Sequence, residues 1–312
     1  MTFTPSSSTA GTFHFTHAPD LASAVDAYVD GSYTKYSTGF MKLTVTATNA
    51  DGVNVDDEVA ALEMPGVVVF AAPFGGDGSI TVLIPTGSCP TSTMNLGWVK
   101  SRVKSTWAVT DDVFGKFRYV PAATSEDMPE AFVDSKYQLD DGADGGITAV
   151  TTTPSSLGTA SCSGGKMQID GVDIFLNSAG GALAHDTSSS DEIIAAMPLS
   201  GPISGTSIGG DYAGVAFEDG GNNTPFNVSI TGGGTASGTG TPIDIVTGSS
   251  TGSAGTLSLT AGPFAGSLVG NLNGESLACM GLLNAGDSGK TVMTCGSMTN
   301  TPHYFSLFMV EK

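Results

Sequence analysis

Glycine constrains this chain more than any other residue: 43 of its 312 residues are Gly. Each glycine costs roughly 1 kcal/mol inside a helix, so long helices and tight αβ units are poor solutions for such a sequence. Short strands joined by many turns accommodate it, because the glycines fall where the chain must reverse. Hydrophobic residues make up 40% of the chain, enough for a core, and charged residues only 13%, with Ser, Thr and Asn taking their place on the surface. The expectation is an extracytoplasmic all-β protein.

Charge limits the partners. Thirty acids against eleven bases give a formal net charge of −19, which repels phosphate backbones and anionic lipid. Nucleic acid is excluded as a partner. No run approaches the roughly 20 apolar residues needed to span a bilayer. The first ten residues, rich in Ser and Thr, carry neither a basic nor an apolar region of a secretion signal. They read as a flexible tether following an export signal that has been removed.

The pattern along residues 11–197 predicts an N-terminal β domain. Strands are expected at 11–17, 41–48, 66–72, 78–84, 95–100, 105–109, 115–120, 166–169 and 172–176, where apolar residues alternate or run between Gly and Asn turns. One or two short helices are expected inside it. The best candidate is 20–29, where Leu21, Val25 and Tyr28 recur at helical spacing. Residues 124–132 offer a turn capped by Ser125, and 188–194 a third start. Residues 198–210, rich in Pro, Gly and Ser, read as a linker. Residues 211–312 predict a compact C-terminal domain of eight short strands, at 212–217, 226–230, 243–246, 255–260, 266–272, 277–283, 290–295 and 304–310. The fold class expected is therefore all-β, with two antiparallel β-sandwich or small β-barrel domains. A weak echo between 80–100 and 291–312 raises a duplication as a hypothesis.

Four cysteines, Cys89, Cys162, Cys279 and Cys295, allow three pairings. Without a Cys-x-x-Cys pair they do not suggest zinc. Their division two and two along the chain favours disulfides and an oxidising compartment, against the alternative of four buried thiols. A bridge across the 16 residues between Cys279 and Cys295 would stabilise by about 3 kcal/mol.

Catalytic strings are explained by composition. Gly286–Lys290 superficially resembles the Gly-Asp-Ser-Gly-Gly of chymotrypsin-like proteases, in which the Ser (Ser288 here) is the nucleophile. Lys290 replaces the last Gly, and His14, His17, His185 and His303 lack the setting of a catalytic base. Gly205–Gly209 and Gly248–Gly252 match Gly-x-Ser-x-Gly but lack the following helix of a nucleophile elbow, so both read as turns. Acidic loops offer the one candidate cofactor, Ca²⁺, with Asp51, Asp56 and Asp57 as first-choice ligands; no spacing matches a known calcium loop, and solvated turns account for the same residues. Trp98, Trp107, Phe117 and Tyr119 fall in successive strands and could form a face that stacks on sugar rings, or fill a core.

In general character the chain resembles the mature part of exported bacterial lipoproteins and surface proteins, through its Ser/Thr leader, Gly/Ser/Thr/Asp-rich meander and sparse paired cysteines. That resemblance implies an extracellular or cell-envelope location and a non-enzymatic binding or adhesion role. The partner would be a glycan, envelope material or a surface protein, and homo-oligomers are compatible with it. The alternatives are a structural subunit of an extracellular fibre or phage particle and, further off, a hydrolase.

Overall fold

The computed structural model describes residues 2–17, 27–50, 52–64, 67–70, 81–83, 88–102, 114–122, 128–139, 147–169, 172–176, 182–186, 192–199, 203–218, 222–285, 289–297 and 305–312. Every regular element among them is a strand, and the sheets are antiparallel throughout. None of the helices expected from sequence is found there. Residues 27–29 belong to a strand, as do 130–132 and 192–194; 18–26, 123–127 and 187–191 lie outside the described residues. Helical spacing over one or two turns was too short a signal to outweigh strand pairing on both sides. No helix among the described residues is long and apolar enough to cross a membrane.

The first sheet is a seven-stranded meander, with β1 (Thr2–Pro5), β2 (Ala10–His17), β3 (Ala27–Lys35), β4 (Phe40–Thr48), β5 (Glu58–Met64), β6 (Val67–Phe70) and β7 (Thr81–Leu83) paired in sequence order. The leader is part of this sheet and not a free tether. Thr2–Pro5 pairs with Gly11–His14, and the Phe3 ring meets Tyr33 edge-on with centroids 5.4 Å apart. Alternation along β3 and β4 sends Val29, Tyr33, Met41, Leu43 and Val45 to one buried face.

The second sheet contains β8 (Met94–Arg102), β9 (Phe114–Val120), β10 (Glu130–Leu139), β11 (Ile147–Thr151), β12 (Ser155–Thr159), β13 (Ser161–Ser163), β14 (Lys166–Ile169), β15 (Val172–Leu176), β16 (Ala182–Asp186) and β17 (Glu192–Pro198). β17 returns to pair with β8. At the other end β12 lies on β10 while β13 lies on β14, and only Ala160 separates β12 from β13. One bent segment thus joins the two ends of the sheet, which rolls around Leu96, Trp98, Phe117, Tyr119, Met167, Ile169, Ile174 and Leu176. A disulfide between Cys89 and Cys162, with Cα atoms 5.9 Å apart, ties the chain before β8 to β13.

The third unit is a closed eight-stranded barrel of β18 (Gly210–Glu218), β19 (Asn222–Thr231), β20 (Thr235–Pro242), β21 (Gly255–Ala261), β22 (Ser267–Leu272), β23 (Glu275–Ala285), β24 (Lys290–Ser297) and β25 (Phe305–Glu311). The expected strand at 243–246 is instead a turn with one isolated bridge, Ile243 to Ser250. The third stave is the Gly- and Thr-rich Thr235–Pro242, which has no apolar alternation. Its glycines leave room for larger neighbours: a Cβ on Gly238 would come within 3.2 Å of Val228 and Ile230 side-chain atoms. Directly opposed on β23 and β24, Cys279 and Cys295 form the second disulfide inside the barrel.

Residues 203–209 do not behave as a linker. Ile203 and Ile208 are buried in the barrel core, the Gly233 amide donates to the Gly205 carbonyl at 2.9 Å, and the Tyr212 hydroxyl donates to the Ile208 carbonyl at 3.0 Å. The segment is a plug for one mouth of the barrel. Burial, with the Glu311 carboxylate adding to it, pushes the Tyr212 phenol up to about 12.

The barrel is apolar outside as well as inside. Val215, Phe217, Val269, Met280, Val292, Phe308 and Val310 face outward, covered by Phe40, Leu62 and Met64 of the first sheet and by Val99, Phe114, Tyr137 and Ala195 of the second. Backbones touch there: a Cβ on Gly296 would sit 2.2 Å from the Lys100 carbonyl oxygen. The Thr38 hydroxyl also donates to the Ile245 carbonyl at 2.6 Å.

Three outcomes follow. Non-reducing peptide mapping should recover the pairs Cys89–Cys162 and Cys279–Cys295, and replacing Cys279 and Cys295 together by Ala should lower unfolding free energy in urea by about 3 kcal/mol. Gly296→Ala forces a methyl into backbone and should cost about 1–3 kcal/mol, read by the same titration. Tyr212 ionises near 10 when unfolded and only near 12 when folded. Stability is therefore unaffected below pH 10 and falls as pH rises from about 10 towards about 12. Tyr212→Phe should flatten that fall while removing a buried hydrogen bond, at about 1–2 kcal/mol.

Candidate functional site

The strand β9, Phe-Gly-Lys-Phe-Arg-Tyr-Val at 114–120, alternates between two kinds of surface. Phe117 and Tyr119 point into the rolled sheet, whereas Phe114, Lys116 and Arg118 point out. Two of the eleven bases thus stand side by side on one outer face. The neighbouring strand β10 shifts register between Val133 and Ser135, so Asp134 is the extra residue of a bulge. A bulge re-aims the side chain that it carries. Here it turns the Asp134 carboxylate to Arg118, whose Nε donates to Oδ2 at 3.2 Å and whose Nη2 donates to Oδ1 at 3.1 Å. The same guanidinium lies 4.3 Å from the Phe132 ring centroid, a stacked arrangement that keeps its planar fork in place.

The barrel reaches the same face of the sheet. Its β21–β22 turn carries Phe264, which stacks with Phe114 and Tyr137 at centroid distances of 6.0 and 5.7 Å. The Lys116 ammonium lies 6.0 Å from the Phe264 ring. Beside this clasp opens a cavity of about 470 Å³ lined by Thr93, Met94, Asn95, Lys116, Phe117, Asp134, Pro198 and Leu199. The Leu199 amide donates to the Asn95 carbonyl at 3.0 Å and holds the floor together. A cleft of this size, mainly apolar with a few convergent polar groups, has the form of a small-molecule site. Arg118 is engaged by Asp134. Lys116 has no ion-pair partner among the described residues.

Apart from Phe117, which also lines the cavity, the residues singled out from sequence lie elsewhere. Trp98, Phe117 and Tyr119 are 7%, 8% and 2% exposed and belong to the core of the rolled sheet. They form no open stacking face, because their strands close into a roll with that face inward. Burial raises the Tyr119 phenol. Trp107 lies outside the described residues. So do Asp51 and the 286–288 segment with Ser288. Asp57 accepts the Asn54 amide at 2.7 Å and serves to shape its own loop, and Asp56 adopts a left-handed backbone with φ of 72°. No group of three or more His, Cys, Asp or Glu side chains among the described residues converges to hold a metal. Gly205–Gly209 and Gly248–Gly252 both fall in turns with no helix following.

Lys116, Arg118, Asp134 and Phe264 were not picked out by sequence reasoning. The Lys-x-Arg spacing in a strand was visible and placed both cations on one face. The bulge at Asp134 and the approach of Phe264, 148 residues beyond Lys116, left no sequence signal. Comparison with protein-family models, curated proteins and solved structures finds no match.

Phe264→Ala removes the ring that clasps the two units. Loss of two stacked pairs at about 0.5–1.5 kcal/mol each should lower stability by about 1–3 kcal/mol and loosen that contact, measured by urea titration and by faster amide exchange at Phe114 and Tyr137.

Proposed function

We propose that this protein is a non-enzymatic binding protein of the extracellular space or cell envelope, recognising a glycan or other surface material in the cavity on the rolled sheet. The observation that carries this reading is the cavity itself. An outward Lys116, a bulged Asp134, the Asn95 side of β8 and an apolar floor at Pro198 and Leu199 meet in one cavity of the second sheet. Strands backed by a packed core hold such groups in fixed positions, as a ligand site requires. Two disulfides add weight to an oxidising, extracellular setting. The general resemblance to exported lipoproteins and surface proteins points the same way.

A structural subunit of an extracellular assembly is the second reading. It is favoured by β1, which pairs only with β2 among the described residues and so leaves an outer edge for another chain. The two readings differ in solution. In the binding reading, labelled protein should decorate isolated cell-surface material saturably while running as a single small species in size-exclusion chromatography. Lys116→Met should weaken that decoration at least about tenfold, as loss of a charge-assisted contact does. Defined large oligomers without decoration would replace it by the structural reading.

A further inference from the structure

We propose that this cavity takes a carboxylate-bearing sugar, a uronic acid unit of an acidic glycan, with its carboxylate on Lys116 and its hydroxyls on Asp134 and Asn95; this rests on the binding reading given above. Four observations lead to that chemical class.

The first is the cation count at the wall. Arg118 spends its fork on Asp134 through Nε and Nη2, and Lys116 is the remaining base lining the cavity. A lone ammonium is a point charge that matches the single charge of a carboxylate, whereas a doubly charged phosphate calls for further donors, such as a guanidinium fork or a cluster of backbone amides, beside any lysine. The second is the field around the site. Seven of the eleven bases lie between Lys100 and Lys166, against nine acids in the same stretch, so the stretch that carries Lys116 is close to neutral in a chain with net charge −19. A single negative charge is admitted there, while a dense polyanion such as nucleic acid is repelled by the rest of the surface.

The third is Asp134. A carboxylate in the wall of an anion site repels a bare anion, yet it has lone pairs left after Arg118 is satisfied. It fits a ligand that is both an anion and a hydrogen-bond donor, which means a hydroxy acid. Asn95 can both give and accept a hydrogen bond beside it. The fourth is the floor. Met94, Pro198 and Leu199 offer apolar surface for the C–H face of a pyranose ring, and about 470 Å³ accommodates one or two such rings.

The test uses the full chain and two matched probes, a trigalacturonate and the neutral trigalactoside, by titration calorimetry. The acidic probe should bind at least about tenfold more tightly, with affinity falling as salt rises. Lys116→Met should reduce it to the level of the neutral probe, with an unchanged urea midpoint showing that the fold is intact. Lys42→Met removes the same charge on the first sheet, away from the cavity, and should retain the preference for the acidic probe. Equal binding of both probes, unaffected by Lys116→Met, would overturn the uronate assignment and leave the binding reading standing. A hexaglutamate peptide that competes as well as trigalacturonate would overturn the sugar part. No binding of either probe, while labelled protein still decorates surface material, would sink the uronate proposal alone; no decoration either would sink both.

Discussion

The barrel of residues 210–311 is apolar on both of its surfaces, and the rest of the molecule is arranged around that fact. Along β18, Tyr212 to Phe217 are buried without a break; along β24, Thr291 to Ser297 are. Inward residues fill the barrel around the Cys279–Cys295 bridge. Outward residues such as Phe217, Met280 and Phe308 would leave a large apolar patch in water if nothing covered them. Both N-terminal sheets supply the cover, one through Phe40, Leu62 and Met64 and the other through Val99, Phe114 and Tyr137. With methyl-free contacts such as Gly296 against Lys100, the surfaces approach to backbone distance.

The candidate site lies beside this docking surface. Lys116, which lines the cavity, also reaches the Phe264 ring that stacks on Phe114 and Tyr137. The polar groups of the site come from the outer face of β9 and the bulge on β10. Each is backed by a packed core on the inward side, including the Trp98, Phe117 and Tyr119 cluster. The aromatics expected to touch a ligand therefore act one layer deeper, as the support on which Lys116 and Arg118 stand.

A common design runs through the second and third units. In each, the first strand pairs with the last, β8 with β17 and β18 with β25, around a central core. In the second, the bent β12–β13 segment bridges what would otherwise be open edges. Closure removes edges that would invite aggregation in such a Gly- and Thr-rich meander. The echo between 80–100 and 291–312 does not follow this design, since it sets the start of the second unit against the end of the third.

The sequence by itself determined the all-β class and seven of the eight barrel staves, because alternation and buried runs bounded by turns are local signals. It could not reveal the third stave, Thr235–Pro242, since that strand exists to make room for Val228 and Ile230 and carries no apolar pattern of its own. At the described end of the helix expected at 20–29 a related reason applies: Tyr28 and Val29 are claimed by pairing with Thr16 and Phe15, partners outside any local window. Glycine was legible as turn material, but its second use, letting backbones and large side chains approach, appeared only with the neighbours in place. Tertiary structure alone decided the inward turn of Trp98, the plug made by Ile203 and Ile208, the bulge at Asp134 and the meeting of Lys116 with Phe264. Each depends on how sheets curl and dock, which is set by contacts between residues tens to hundreds of positions apart.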